Sequence, residues 1–134
     1  MPRVKPIPLI NTDTLQPYVE VDHFLREDLP NEFDESGQSY IYEELRYVKG
    51  FLYAYRTSKA TLKNYTKELE RFICWSWQFK EKSLFRVKKA DAQEYIQFLV
   101  SPPKTWITNH THSKYKPNGE INPKWRPFVC RFGN

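Results

Sequence analysis

The sequence contains few glycines and no long apolar run. Only four glycines occur among 134 residues, and they form no Gly-rich phosphate-binding loop of the P-loop or dinucleotide-binding kind. No apolar segment reaches the roughly 18 residues that a membrane helix needs. Residues 1–10 show no signal-peptide pattern. We therefore predict a cytoplasmic protein without a membrane partner.

Recognisable catalytic and metal-binding motifs are also missing from the sequence. There is no GxSxG or HExxH motif. Cys74 and Cys130 are far apart in the sequence and are expected to be free thiols in a reducing compartment. His110 and His112 form a close pair, but neither cysteine lies at a zinc-finger spacing from them. We expect no metal site, no cofactor and no catalytic residue.

The charge of the chain is unevenly distributed. Residues 11–45 contain ten acids and one base, whereas residues 46–134 contain 18 bases and six acids, a net charge of +12. This imbalance indicates a polyanionic partner such as nucleic acid for the basic part. A solvated basic surface without a partner accounts for the charge equally well. Charge alone therefore leaves both interpretations open.

Hydrophobic periodicity predicts three helices after a proline-containing N-terminal segment. Five of the ten prolines lie in residues 1–38, which we predict to form an extended acidic arm. Residues 39–134 are predicted to form a single domain. Its helices are expected to follow Ser39, to span about residues 58–79, and to span about residues 89–100.

Each predicted helix has one apolar face. Ser39 and Ser58 are the expected N-cap residues of the first two helices. The apolar face of the second helix is formed by Leu62, Tyr65, Leu69, Phe72, Ile73 and Phe79. That of the third is formed by Ala92, Tyr95, Ile96 and Leu99. After Pro103, aromatic and turn residues alternate, and we predict an irregular basic loop whose aromatic side chains complete the core.

Basic side chains of the second predicted helix are spaced to share one face, opposite its apolar face. Lys59, Lys63 and Lys67 follow each other at four-residue intervals, and Arg56 precedes them. Bases near a helix N-terminus are unfavourable because the helix dipole is positive there, unless an anion binds. The free N–H groups and Ser58 could then share a phosphate, and we favour phosphate binding over an ordinary exposed face. The loop adds Lys104, Lys114, Lys116, Lys124, Arg126 and Arg131, which could follow a nucleic-acid backbone.

A long, degenerate pattern runs through this part of the sequence. It begins with Ser58, Thr61, Tyr65, Leu69, Phe72 and Trp75, and continues with Leu84, Val87, Asp91, Tyr95, Ile96 and Leu99. A segment at residues 122–128 ends it. The pattern resembles the N-terminal core-binding domain of tyrosine recombinases, the phage-integrase family, over about residues 40–130.

The resemblance implies an all-α, SAM-like orthogonal helical bundle that clamps duplex DNA during integration or excision of mobile DNA. In that family the start of the second helix faces the major groove, and Tyr65 would be a packing residue. The DNA-binding residues it implies, with their neighbours, are Arg56, Ser58, Lys59, Thr61, Lys63, Asn64 and Lys67. The family's catalytic residues belong to a C-terminal domain with no match here. The resemblance thus implies a non-enzymatic fragment, truncated before the last helices of its domain.

The partners implied by the resemblance are double-stranded DNA, the missing catalytic domain, and further copies of the full-length protein on DNA. It also implies association with the nucleoid of a bacterial host. The alternative is a helical protein–protein interaction module, in which the acidic arm of one protomer docks on the basic face of another. DNA affinity would distinguish these two interpretations.

Overall fold

The computed structural model describes residues 5–18, 33 and 37–130. Its α-helices are α1 (Tyr40–Tyr53), α2 (Lys59–Ile73) and α3 (Lys89–Val100). A π-helical segment, Cys74–Phe79, continues α2, and 3-10 turns occur at Thr12–Thr14, Leu84–Arg86 and Lys104–Trp106. Strands β1 (Ile107–Thr108) and β2 (Phe128–Val129) pair in parallel. The described chain is mostly helical, which agrees in part with the predicted all-α class, but it also contains a small sheet.

The helices begin where the sequence predicts, but the predicted capping hydrogen bonds at the N-termini of the first two are absent. α1 follows Ser39 and α2 follows Ser58, yet neither serine side chain makes a capping hydrogen bond. The serine-capping mechanism is therefore wrong at both positions. Among the described helices, none has the length and apolar character required to cross a membrane.

The α-helical part of the second predicted helix is shorter than expected. It ends at Ile73, and the chain continues in the wider π turn. Residues 74–78 are all buried, so this segment is enclosed on every side and lacks the amphipathic pattern that sequence periodicity detects. The Trp77 indole Nε1 donates to Glu44 Oε1 at 2.9 Å, and the other oxygen of Glu44 accepts from Ser83 Oγ. Glu44 therefore links α1 to the π segment and to the connection before α3.

The described N-terminal segment packs into the same core as the helices. Leu9 is 2% exposed and Ile10 is fully buried. Their backbone N–H groups both donate to Glu70 Oε2 on α2, at 2.8 Å each. The predicted boundary at residue 38 did not anticipate this packing. Most acids of the predicted arm fall at positions 19–32 and 34–36, outside the described residues.

The predicted buried face of α3 is correct for Tyr95, whose ring centroid lies 5.0 Å from that of Phe72 and 5.1 Å from that of Trp75, and wrong for the other three residues. Ala92 is exposed, as are Ile96 at 58% and Leu99 at 38%. The buried side chains of α3 are Asp91 and Phe98. The Phe98 ring lies against the rings of Phe79, Trp106 and Phe128, with centroids 5.0 to 5.9 Å apart. α3 is thus held to the core by two aromatic side chains, Tyr95 and Phe98, rather than by an aliphatic stripe.

Tyr65 lies in an aromatic cluster between α1 and α2. Its ring centroid is 4.9 Å from that of Tyr55 and 5.9 Å from that of Phe51. Tyr65 is nevertheless 40% exposed and Phe51 is 48% exposed. The cluster therefore joins the two helices at the surface rather than in the core.

Asp91 ties α3 to the connection that precedes it. Its carboxylate oxygens accept from Lys82 Nζ at 2.9 Å, and Oδ2 also accepts from the Lys88 backbone N–H at 2.9 Å. The hydrogen bond from Lys82, followed by that from Lys88, favours the ionised carboxylate. These contacts hold the pKa of Asp91 below its usual range.

This lowered pKa makes the contribution of Asp91 to stability dependent on pH. Because the folded pKa lies below the unfolded one, the contribution is present above about pH 4 and disappears as the pH falls through the folded pKa. We expect Asp91→Asn to lower the melting temperature at about pH 7, and the difference from wild type to shrink in more acidic solution. Thermal denaturation over a pH series measures this. Glu94→Gln, at an exposed ion pair with Lys80, is the control and should change little; a difference for Asp91→Asn that does not vary with pH would contradict the prediction.

Candidate functional site

A groove lies between α2 and the loop that follows β1, and we call it the basic groove. One wall is α2, from Lys59 to Arg71, and the other is formed by residues 111–114 and 125–127. Thr12 and Val129 complete the lining. The groove has a volume of about 910 Å³, within the range of sites that enclose organic ligands.

The small sheet holds the second wall of the basic groove in place. Ile107 lies opposite Phe128 and Thr108 opposite Val129, and the Cys130 N–H donates to the Thr108 carbonyl at 2.8 Å. Residues 109–127 therefore form a loop whose two ends are fixed side by side; we call it the 109–127 loop. This pairing brings basic residues distant in sequence to the same side as the lysines of α2.

Six basic side chains line the basic groove: Lys59, Lys63, Lys67, Arg71, Lys114 and Arg126. The three lysines of α2 are those that the sequence predicts to share a face, and all three are exposed. Arg71 continues their four-residue spacing but was not predicted as a site residue, because it lies between Leu69 and Phe72 of the predicted apolar face.

Arg71 also joins the two walls. Its Nε donates to the Pro127 carbonyl at 3.0 Å, and its guanidinium lies 4.8 Å from the centroid of the Phe128 ring. A second nitrogen approaches Glu68 Oε1 at 3.5 Å, a contact with an exposed carboxylate. The 109–127 loop is thus anchored to α2 by a base that also faces the basic groove.

The lysines of α2 border the buried side of the helix, so the prediction that they lie opposite it is wrong. Thr66 is 6% exposed and Glu70 is 3% exposed, and both line the groove beside the lysines. Neither Thr66 nor Glu70 belongs to the apolar face that the sequence predicted for this helix. Glu70 Oε1 accepts from Lys114 Nζ at 2.6 Å, while Lys114 also donates to the Ile10 carbonyl at 2.8 Å. The buried acid therefore compensates one of the six bases, and the groove keeps a positive excess.

Thr66 has an unusual environment at the base of the groove. Among the described residues, its hydroxyl oxygen is buried without a hydrogen-bond partner. Such a group costs about 1–3 kcal/mol relative to one that is hydrogen-bonded. The neighbouring lining is apolar and includes Leu62, Trp125, Pro127 and Val129.

The other predicted site residues lie outside the basic groove. Arg56 donates to the Tyr53 carbonyl at 2.9 Å and lies over the Tyr53 ring at 3.9 Å. Ser58 and Asn64 are exposed. Because an α-helix turns by about 100° per residue, Thr61 points to the other side of α2 from the lysines. The structure thus brings together three of the seven predicted residues. Of the loop bases, Lys104, Lys116 and Lys124 do not line the groove, and Arg131 lies outside the described residues.

Within residues 5–18, 33 and 37–130, no cluster of three His, Cys, Asp or Glu side chains is arranged to hold a metal ion. Cys74 and Cys130 are not joined by a disulfide, as the sequence predicts. No protein-family model, curated protein or solved structure matches the chain.

Proposed function

We propose that the chain binds duplex DNA through the basic groove and the exposed lysines along its edge. The observation that carries this proposal is the convergence of six bases from α2 and from the 109–127 loop. Lysine and arginine side chains neutralise phosphates and release counterions, which supplies most of the affinity of sequence-independent DNA binding. Arg71 supports the proposal further, because it rigidifies the two walls against each other.

The sequence pattern extends the proposal to a biological role. In the core-binding domain of a tyrosine recombinase, α2 would lie against the DNA while a separate C-terminal domain performs catalysis. The chain would then supply the DNA-clamping part of an integrase. Its partners would be the catalytic domain and further copies of the full-length protein assembled on DNA in the nucleoid. Lys59, Lys63 and Lys67 would contact phosphates, with Arg71 on the same wall and Lys114 and Arg126 on the opposite one.

The proposal is tested with a triple variant, Lys59→Ala, Lys63→Ala and Lys67→Ala. Wild type is expected to bind a random-sequence duplex with a Kd of about 10⁻⁴ to 10⁻⁶ M at physiological salt. The variant should bind about tenfold more weakly at low salt, and the slope of log K against log salt should decrease by about 2.7, because three phosphate contacts are lost. Fluorescence anisotropy at about 50 and 200 mM salt measures both quantities.

The matched control removes three bases that lie outside the basic groove: Lys89→Ala, Lys104→Ala and Lys116→Ala. All three side chains are exposed, as are the three lysines of the test variant. Because each variant loses three lysines, the two have the same net charge. It should retain most of the affinity and of the salt slope. Equal weakening in both variants would show that only net charge matters and would remove the groove from the interface.

A protein–protein interaction module is the second candidate function, and one observation favours it. α3 exposes three apolar side chains, Ile96, Leu99 and Val100, the last at 76%. Exposed apolar patches often mark surfaces that contact another protein. Analytical ultracentrifugation separates the candidates: concentration-dependent association of a protein that has no DNA affinity would support the interaction module and contradict DNA binding.

A further inference from the structure

The basic groove has features that a surface following only a duplex backbone does not need. Contacts to a phosphate backbone require cations and hydrogen-bond donors. Part of the lining of this groove is apolar: Trp125, at 8% exposure, and Pro127 are buried, and Leu62 and Val129 are half-buried. Two buried polar residues, Thr66 and Glu70, complete this part of the lining. Its volume of about 910 Å³ is near the upper end of the range for sites that enclose organic ligands, about 300–1,000 Å³, and far exceeds the needs of one phosphate.

Apolar side chains beside cationic ones in a single groove match the chemistry of a nucleotide. A nucleobase has two apolar faces, which pack favourably on aromatic and aliphatic side chains, while its phosphate is attracted by lysine and arginine. In a paired duplex the faces of the bases are stacked on each other and only their edges are accessible. An unpaired nucleotide can bring both its base and its phosphate into the groove.

Thr66 provides an independent indication of a ligand. Its hydroxyl is buried at the base of the groove and has no hydrogen-bond partner among the described residues. Thr66 follows Lys63 by three positions on α2, so the two side chains are neighbours on the helix surface and both line the groove. A ligand oxygen that accepted from this hydroxyl would remove the unfavourable free energy of the unpaired group.

We propose that the basic groove holds unpaired nucleotides of a single-stranded nucleic-acid segment. The base packs against Leu62 and the edge of Trp125, the phosphate lies between Lys63 and Lys67, and Thr66 donates a hydrogen bond to a ligand oxygen. This inference deepens the proposed function and rests on it in one respect, namely that the ligand is a nucleic acid. Duplex binding and the binding of unpaired nucleotides together imply that the protein prefers a junction at which a duplex ends in a single-stranded tail.

The test compares duplexes that contain equal numbers of phosphates. One carries a tail of about four unpaired thymidines on a single strand; the other is extended instead by base pairs that contain the same number of nucleotides. A blunt duplex and an oligothymidine complete the set. We expect the tailed duplex to bind about tenfold more tightly than the extended one, since base–aromatic stacking contributes about 1–3 kcal/mol per base. Fluorescence anisotropy measures each affinity.

Two variants examine the groove itself. Thr66→Val keeps the shape of the side chain without its hydroxyl. It should raise the melting temperature and weaken binding of the tailed duplex by up to about tenfold, so that the ratio of the tailed-duplex to the blunt-duplex affinity falls. Ser113→Trp, at an exposed position of the groove wall, keeps all six bases and should remove the preference for the tail by occupying the space of the base.

The outcomes separate this inference from the proposed function. Equal affinity for the tailed and the extended duplex would overturn the inference and leave duplex binding intact. Binding of oligothymidine without binding of the blunt duplex would support the inference and overturn duplex binding. Failure to bind any of the four nucleic acids would overturn both proposals.

Discussion

Replacing Glu70 with alanine is expected to lower the free energy of unfolding by about 3–5 kcal/mol. Two buried backbone N–H groups, those of Leu9 and Ile10, would lose their acceptor at once, and the partly exposed ammonium group of Lys114 would lose its ion pair. Lys114 would keep only its hydrogen bond to the Ile10 carbonyl. Since a small domain has a total stability of about 5–15 kcal/mol, this single change would remove a large part of it. Urea denaturation followed by tryptophan fluorescence measures the loss.

Glu68→Ala is the matched control for Glu70→Ala. Glu68 is also a carboxylate of α2, but its side chain is 57% exposed and approaches Arg71 only at 3.5 Å. Its removal should change stability by less than about 1 kcal/mol. Similar losses for the two variants would show that Glu70 does not hold the N-terminal segment and the 109–127 loop together, as the structure indicates.

Truncating Ile10 to alanine is expected to lower the free energy of unfolding by about 2–5 kcal/mol. Ile10 is fully buried, and its truncation would leave a cavity beside the Glu70 carboxylate. An effect of this size is unusual for a residue so near the start of a chain, where sequence-based expectation places an arm. Chemical denaturation of the variant at neutral pH gives the value.

Ile96→Ala removes the same atoms from α3 and serves as the control. Ile96 is 58% exposed, so its truncation should change stability by less than about 0.5 kcal/mol. The apolar pattern of the sequence predicts the larger loss of stability for Ile96→Ala, because it places Ile96 in the core and residues 1–38 outside it. A larger loss for Ile96→Ala than for Ile10→Ala would therefore contradict the packing described above.

Local patterns predicted the elements of this fold well. The apolar spacing located the three α-helices for which the described residues give bounds, and the third ends shortly before Pro102. The lysine spacing on α2 identified one wall of the basic groove, because the period of a helix determines which side chains share a face. The same rule, applied one step further along the chain, finds Arg71.

Contacts between distant parts of the chain were not predictable in this way. The buried position of Glu70 depends on residues 9 and 10 and on Lys114, about 60 residues before Glu70 and 44 residues after it. A hydropathy pattern assigns a glutamate to solvent, because it contains no information about a partner that far away. The rotation of α3 about its own axis also depends on residues distant in sequence, because Phe98 packs against rings from three other elements. The presence of the three described α-helices followed from the sequence, whereas the π segment, the small sheet and the contacts between elements required the structure.

The exposed tip of the 109–127 loop makes the fold tolerant of changes in chain length. At the tip, the Gly119 N–H donates to the Lys116 carbonyl at 2.8 Å, and Gly119 has a φ of +89°, which favours glycine. The ends of the loop are held by the β1–β2 pair and by Arg71, far from this turn in sequence. Each doubling of the length of a flexible loop costs only about 0.6 kcal/mol. A peptide tag or a fluorescent reporter inserted after Asn118 would therefore lie away from the groove walls, at a site suited to following binding without altering it.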